Sequence, residues 1–377
     1  MQRLKLALGF IYSFAFIINL FFAMVLLGVP LYALRLKAGN LELGYLGGLG
    51  ALTYTLSVPL SGWLSDRLSK RLLSFLGAVI FGLSVLFIPW VEKLNFLYPF
   101  VFGYSLGLAL IWPAMESRLS LLVPGEKLSK IAGWYNLSWC LGFIFGPYLA
   151  GWLFERKLEL VFWGAGLGGV LFSFLAIYPP AQRASQTIGY TEESGPVYFL
   201  YLSWLANIMT YFFQGILRNI FPKLGEGLGL SSSQLGILFL VMSLGQAGFF
   251  VILNLSGRWH FKFLPLLLAQ LGAFLGLMII GFAGNLSGFI GGFFLVGSAS
   301  GVTYFSSLYY AISLSQKRAG SRSGWHEFFI GAGALTGPVL GGIFAEFIGE
   351  RSPYFIGAGM ILGAILVELW YYNKSRA

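Results

Sequence analysis

Apolar residues run in long stretches, broken by short polar interruptions, from one end of the chain to the other. A helix crosses the hydrocarbon core of a bilayer with about 20 mostly apolar residues. Twelve segments reach that length: 6–33, 43–65, 72–91, 95–117, 131–154, 158–178, 196–217, 231–256, 262–283, 286–314, 323–348 and 353–372. The runs are continuously apolar and do not alternate over about 10 residues, which favours helices over barrel strands. One interruption stands apart. Residues 179–195 are polar and contain Gly and Pro, so they read as a linker. The pattern predicts an all-α membrane protein of twelve transmembrane helices in two six-helix bundles, 1–178 and 196–377.

The two halves carry a repeat. Gly133, Trp134, Gly142, Gly146, Pro147, Gly151 and Glu155 of span five meet identical residues 191 positions later, at Gly324, Trp325, Gly333, Gly337, Pro338, Gly342 and Glu346 of span eleven. The same position in each half is thereby marked, and the two bundles are expected to be pseudo-symmetric. Within the repeat, Gly142, Gly146 and Ala150 lie four apart, as do Gly333, Gly337 and Gly341. Residues four apart share a helix face, and small ones let two helix backbones approach closely.

Composition agrees with a membrane chain: 57% of residues are hydrophobic, 10% are charged, and the mean hydropathy is +0.79. A soluble domain carries about 25% charged residues. The net charge of +10 is spread over short loops and forms no Lys/Arg-rich face of the kind nucleic acid requires. With the N-terminus inside, 16 of the 24 Lys and Arg residues fall on the inner face, so both termini are expected in the cytoplasm of a cell-membrane protein. A lone cysteine, Cys140, excludes an internal disulfide, and no metal site or cofactor is suggested. With His260 and His326 the only histidines, a membrane enzyme is not the reading. The absence of a Gly-x-x-x-x-Gly-Lys-Ser/Thr motif argues against ATP as the energy source.

After span two comes Gly62-Trp63-Leu64-Ser65-Asp66-Arg67-Leu68-Ser69-Lys70-Arg71. This resembles the loop 2–3 signature of the major facilitator superfamily, a Gly-x-Leu-x-Asp-Arg core followed by basic residues. The Gly-Pro pairs of spans five and eleven, the twelve spans and the central linker resemble that family too. The resemblance implies a gating role for Gly62, Asp66, Arg67 and Arg71, with Arg118 at the inner end of span four as a partner of Asp66. The equivalent loop of the second half, Ser256 to Lys262, contains no acid, so a symmetric second latch is not expected.

The resemblance also implies that spans one, four, seven and ten line a central cavity. Each carries polar or aromatic residues at helical spacing, which should avoid lipid. Span seven has Trp204, Asn207, Tyr211, Gln214 and Arg218; span ten has Ser300, Thr303, Ser307 and Tyr310; span four has Ser105, Trp112 and Glu116; span one has Tyr12 and Asn19. Candidate solute contacts are Tyr12, Asn19, Trp112, Trp204, Asn207, Tyr211, Gln214, Thr303, Ser307 and Tyr310, each of which serves equally as an interhelical hydrogen-bonder. Glu116 and Glu327 are candidate proton carriers, with structural ion pairing to Arg118 or Arg322 as the alternative. His326 lies two turns before Gly333, on the packing face. The expected activity is secondary transport of a small solute by alternating access, proton-coupled efflux of an amphipathic compound first and uptake of a sugar or other neutral nutrient second. A non-transporting sensor on the same fold is the competing class. The expected partners are the solute, a proton or other coupling ion, and the lipid bilayer, with no nucleic acid and a monomeric chain.

Overall fold

The computed structural model describes residues 2–122, 125–178, 195–314 and 319–375. Most of the 179–195 linker therefore lies outside the described residues. Twelve long helices follow one another: α1 (Gln2–Arg35), α2 (Asn40–Arg67), α3 (Lys70–Leu86), α4 (Leu97–Leu122), α5 (Gly125–Arg156), α6 (Glu159–Phe172, followed by a short helix Phe174–Ile177), α7 (Tyr198–Asn219), α8 (Ser232–Leu255), α9 (Phe263–Phe282), α10 (Leu286–Ser313), α11 (Ala319–Phe347) and α12 (Ser352–Lys374). No strand occurs among the described residues. Ten of the twelve are long and apolar enough to cross a membrane. The other two, α2 and α7, are 28 and 22 residues long. At about 1.5 Å per residue both have spanning length. Polar residues dilute their apolar character, among them Thr53, Ser61 and Ser65 on α2 and Asn207, Thr210 and Gln214 on α7.

Local chemistry sets several helix ends. Ser231 accepts from the Gln234 backbone while the Gln234 side chain accepts from Ser231, a reciprocal cap that satisfies two orphan amides at the start of α8. Asn285 caps α10 through the Gly288 amide at 2.9 Å. Pro353 opens α12, where its missing N–H costs nothing. Gly349, at φ +137°, makes the turn between α11 and α12 in a conformation that side chains rarely adopt.

The chain divides into two compact units, Met1–Ala38 with Leu49–Gly189, and Gly39–Gly48 with Tyr190–Ala377. The pairings inside the first recur inside the second. α1 packs on α5 as α7 packs on α11, α3 on α4 as α9 on α10, and α3 on α6 as α9 on α12. The glycine seams lie at the first of these contacts. A Cβ on Gly146 would lie 2.6 Å from the Leu20 carbonyl oxygen, and one on Gly142 2.6 Å from that of Phe16. On α11, a Cβ on Gly333 would lie 2.5 Å from the Ile208 carbonyl oxygen, and one on Gly341 2.7 Å from Ile216 Cγ1. Only glycine permits backbones so close. In the second unit the opening turns of α2 approach α11 in the same way, with the place of a Gly44 Cβ 2.6 Å from the Pro338 carbonyl oxygen and Asn40 Nδ2 donating to Glu346 Oε2 at 3.2 Å.

Large apolar side chains also stand outward, among them Leu171, Leu255, Leu264, Phe282 and Leu366. In water, so much exposed apolar surface would drive association. Against acyl chains it is the solvated surface of the protein.

Candidate functional site

The α7 stripe exists as a buried line. Asn207 is 0% exposed and Gln214 is 2% exposed. Neither nitrogen nor oxygen of either amide has a hydrogen-bond partner, and the Trp204 indole nitrogen has none either. Buried polar atoms are paired in the great majority of cases. Three members of one stripe, with Tyr211 between the second and the third, are therefore left with unused donors and acceptors. Tyr211 is half-buried, its ring 6.3 Å from that of Tyr304 on α10.

The α10 candidates are spent differently. Thr303 Oγ1 shares a hydrogen bond with Thr210 Oγ1 on α7 at 3.0 Å, and Ser300 donates to the Val296 carbonyl of its own helix at 2.8 Å. Ser307 Oγ meets His326 Nδ1 at 2.6 Å across to α11, so His326 is an interhelical hydrogen-bonder on the packing face. The His326 ring is 0% exposed and lies edge-on to Tyr304, 5.1 Å between centroids. Tyr310 is committed elsewhere: its hydroxyl accepts from the Phe261 amide at 3.0 Å.

That amide belongs to the turn between α8 and α9. Phe261 has φ +51° there, and the turn is packed with rings. His260 stacks on Tyr309 at 4.2 Å, with Tyr309 Oη 2.9 Å from His260 Nδ1, and the Trp259 ring lies 5.0 Å from that of Tyr309. Trp259 Nε1 donates to the Leu253 carbonyl. Rings stand here between Arg258 and Lys262, whereas the connector between α2 and α3 has no aromatic residue between Arg67 and Lys70.

In the first unit, Asn19 is buried and its amide donates to Ala15 of its own helix at 3.0 Å. Tyr12 donates to the Ile131 carbonyl on α5 at 3.2 Å. Trp112 is half-buried and Glu116 exposed. Tyr135, next to the packing face of α5, is 4% exposed with its hydroxyl unpaired. Glu327 leaves 52% of its side chain exposed, with Oε1 4.0 Å from His326 Nε2.

Around the loop motif, Arg67 folds over the Trp63 ring at 3.9 Å, and Lys70 Nζ donates to the Ser65 carbonyl at 2.7 Å. Arg71 is half-buried, and nothing would crowd a Cβ on Gly62. The Asp66 side chain lies outside the described residues. Arg118 is 3% exposed and donates to the carbonyls of Ala176 at 2.5 Å and Tyr178 at 3.2 Å, closing the end of the short helix after α6. Its counterpart in use, though not in position, is Arg351, which donates to the Gly281 and Ala283 carbonyls at the end of α9. Two polar groups fell outside the sequence reading. Thr210 is a neighbour of the stripe in spacing, and Glu368 pairs with Gln270, the one polar residue of α9. No cluster of His, Cys, Asp and Glu that would hold a metal occurs among the described residues.

Comparison with known proteins places these features. The model of the Major Facilitator Superfamily matches residues 9–198 and 203–377. The chain is 21% identical to Multidrug resistance protein 1 of Bacillus subtilis over 98% of its length and 97% of that protein. It is 26% identical to the Quinolone resistance protein NorA of Staphylococcus aureus over 52% of the chain and 50% of that protein. A POT family transporter solved in complex with a thioalcohol-conjugated peptide has a TM-score of 0.81 at 14% identity, over 98% of this chain and 96% of that one. The nucleoside transporter NupG has a TM-score of 0.75 at 12% identity, over 97% and 99%. At these identities the structures speak for the fold alone, and the family match speaks for membership. With its twelve helices and loop motif, the chain belongs to the major facilitator superfamily, a family of membrane transporters and not of enzymes.

Proposed function

We propose that this protein exports a hydrophobic or amphipathic small molecule across the cell membrane by alternating access, driven by protons. The observation that carries the reading is the row of unpartnered polar atoms on α7: the Trp204 indole N–H and the complete amides of Asn207 and Gln214, all buried. Leaving such groups unpaired costs about 1–3 kcal/mol each. A solute that supplies donors and acceptors recovers that cost on binding. The row is uncharged and partly aromatic, which suits an amphipathic organic molecule better than a multiply charged anion. The names of two relatives, a multidrug and a quinolone resistance protein, support export.

Tyr211 and Tyr304 stand beside the row and belong to the same surface in this reading. Thr303 ties α10 to α7, the helix that carries the row, and Ser307 ties α10 to α11. Tyr12, Asn19 and Trp112 are the proposed contacts of the first half, 1–178, and Glu327 and Glu116 the proposed proton carriers. Gly62, Asp66, Arg67, Arg71 and Arg118 form the proposed gate. Both termini are proposed to lie in the cytoplasm, and the protein to act as a monomer.

The test is transport in proteoliposomes with an imposed proton gradient, using a panel of quinolones, lipophilic cationic dyes, sugars and nucleosides. The reading expects gradient-dependent movement of a quinolone or dye, lost in Asn207→Leu and Gln214→Leu variants that remain folded. Movement of a sugar or nucleoside alone would establish the uptake alternative. No flux of any panel member, with binding retained, would favour a sensor. A Glu327→Gln variant with unchanged proton-driven flux would remove Glu327 from the coupling role.

A further inference from the structure

Glu368 on α12 is 0% exposed, and Gln270 on α9 is 3% exposed. The two are 98 residues apart in the chain and meet inside the second unit, where Gln270 Nε2 donates to Glu368 Oε2 at 2.5 Å. The second carboxyl oxygen, Glu368 Oε1, and the amide oxygen, Gln270 Oε1, have no partner. A carboxylate in this place would set a full negative charge and two unsatisfied oxygens together in a membrane-buried contact, among the most unfavourable arrangements available to a side chain. A carboxylic acid resolves both deficits at once. Its O–H on Oε1 is the one donor Gln270 Oε1 lacks, and the acid and amide then close a ring of two hydrogen bonds.

We infer that Glu368 and Gln270 form a proton-binding site, with one proton held on Glu368 and shared toward Gln270, apart from the α7 row. The inference does not depend on the transport reading above; it stands if the protein proves to be coupled to another ion.

Among the described residues, no cation is a hydrogen-bond or ion-pair partner of Glu368. α9 has no ionisable residue from Phe263 to Phe282. At the same end, α7 presents Tyr198 and Tyr201, which make ring contacts with Tyr372 and Tyr371 of α12. Lys262 precedes α9, and Lys374 lies over the Trp370 ring at 5.1 Å. α11 contributes Arg322, His326 and Glu327 near its start, and the His326 ring is turned to Ser307 on α10. None of these groups is a hydrogen-bond or ion-pair partner of Glu368 among the described residues. A metal ion is a poorer occupant than a proton. Hard cations take six or more oxygens, and among the described residues this pair offers two unpartnered ones.

Infrared difference spectroscopy of the purified protein in lipid nanodiscs at neutral pH reads the proton directly. The wild-type protein should show a protonated-carboxyl C=O band that is sensitive to deuterium exchange and is removed by Glu368→Gln. The Gln270→Leu variant should keep that band and shift it to higher frequency, because the acid has lost its amide partner. Glu368→Gln should melt close to the wild type, since two amides form the same ring, and sodium should leave the melting of both unchanged. No band assignable to Glu368, a band unmoved by Gln270→Leu, or stabilisation of the wild type but not of Glu368→Gln by sodium would each overturn the assignment. If Glu368→Gln fails to fold, the Gln270→Leu shift still decides.

Discussion

Replacing Gly146 by alanine tests the claim that α1 and α5 touch backbone to backbone. The new Cβ would lie 2.6 Å from both the Leu20 carbonyl oxygen and the Ala23 Cβ, whereas an ordinary contact begins at 3.4 Å. The helices must therefore part by roughly 0.8 Å over the seam, in an interior packed too densely to absorb it. Overpacking of this kind costs about 1–3 kcal/mol. The substitution also removes backbone freedom from the unfolded chain, which favours alanine by about 0.5–1 kcal/mol. A control cancels that second effect. Gly359 on α12 is exposed, and a Cβ there meets nothing within 4 Å. The difference between Gly146→Ala and Gly359→Ala isolates packing, and at about 2–4 °C per kcal/mol for a bundle of this size it places the first variant about 2–12 °C lower in melting temperature. The repeat makes a second demand: Gly337→Ala on α11, which meets the backbone of Phe212, should fall by a similar amount. The assay is thermal unfolding in detergent, followed by intrinsic tryptophan fluorescence. Equal melting of Gly146→Ala and Gly359→Ala would refute the close approach.

Ser307→Ala leaves a buried imidazole nitrogen unpaired and should cost about 1–3 kcal/mol in the same melting assay; the loss should shrink in a His326→Phe background, where nothing remains to be satisfied. Arg351→Ala removes two charge-assisted hydrogen bonds from the end of α9 and should cost about 1.5–3 kcal/mol, read as faster amide exchange at Gly281 to Ala283 and a lower melting temperature. Ser231→Ala should cost about 1 kcal/mol and fray the first turn of α8, seen as increased exchange of the Gln234 amide, while Ser231→Asp preserves it.

The membrane spans were legible in the sequence because hydrophobicity persists over a whole crossing and needs no knowledge of neighbours. The α7 row was legible for a related reason: Asn207 and Gln214 are two helical turns apart, and period alone places them on one face. The glycine seam could be read twice, since Gly142 and Gly146 recur as Gly333 and Gly337. What the chain could not disclose was the rotational setting of one helix against another. Tyr310 continues the α10 spacing, yet its hydroxyl serves an amide in a turn 49 residues away. Glu368 is one carboxyl in an apolar run until α9 turns Gln270 toward it. Arg118 finds main-chain carbonyls at the end of the helix after α6, and main-chain acceptors leave no trace in residue identity.

The ring-packed turn between α8 and α9 makes the two halves respond unequally to ionic strength. Where Arg67, Lys70 and Arg71 cluster, added electrolyte damps every interaction at the surface within about a Debye length, some 8–10 Å near physiological salt. Stacked His260 and Tyr309, with Trp259 against them, are held by dispersion and apolar contact, which mobile ions scarcely touch. High salt therefore eases the mutual repulsion of the three cations in one connector and leaves the ring stack of the other nearly unchanged, so a conformational equilibrium that shifts with potassium chloride has a sensitive element in the first half of the chain.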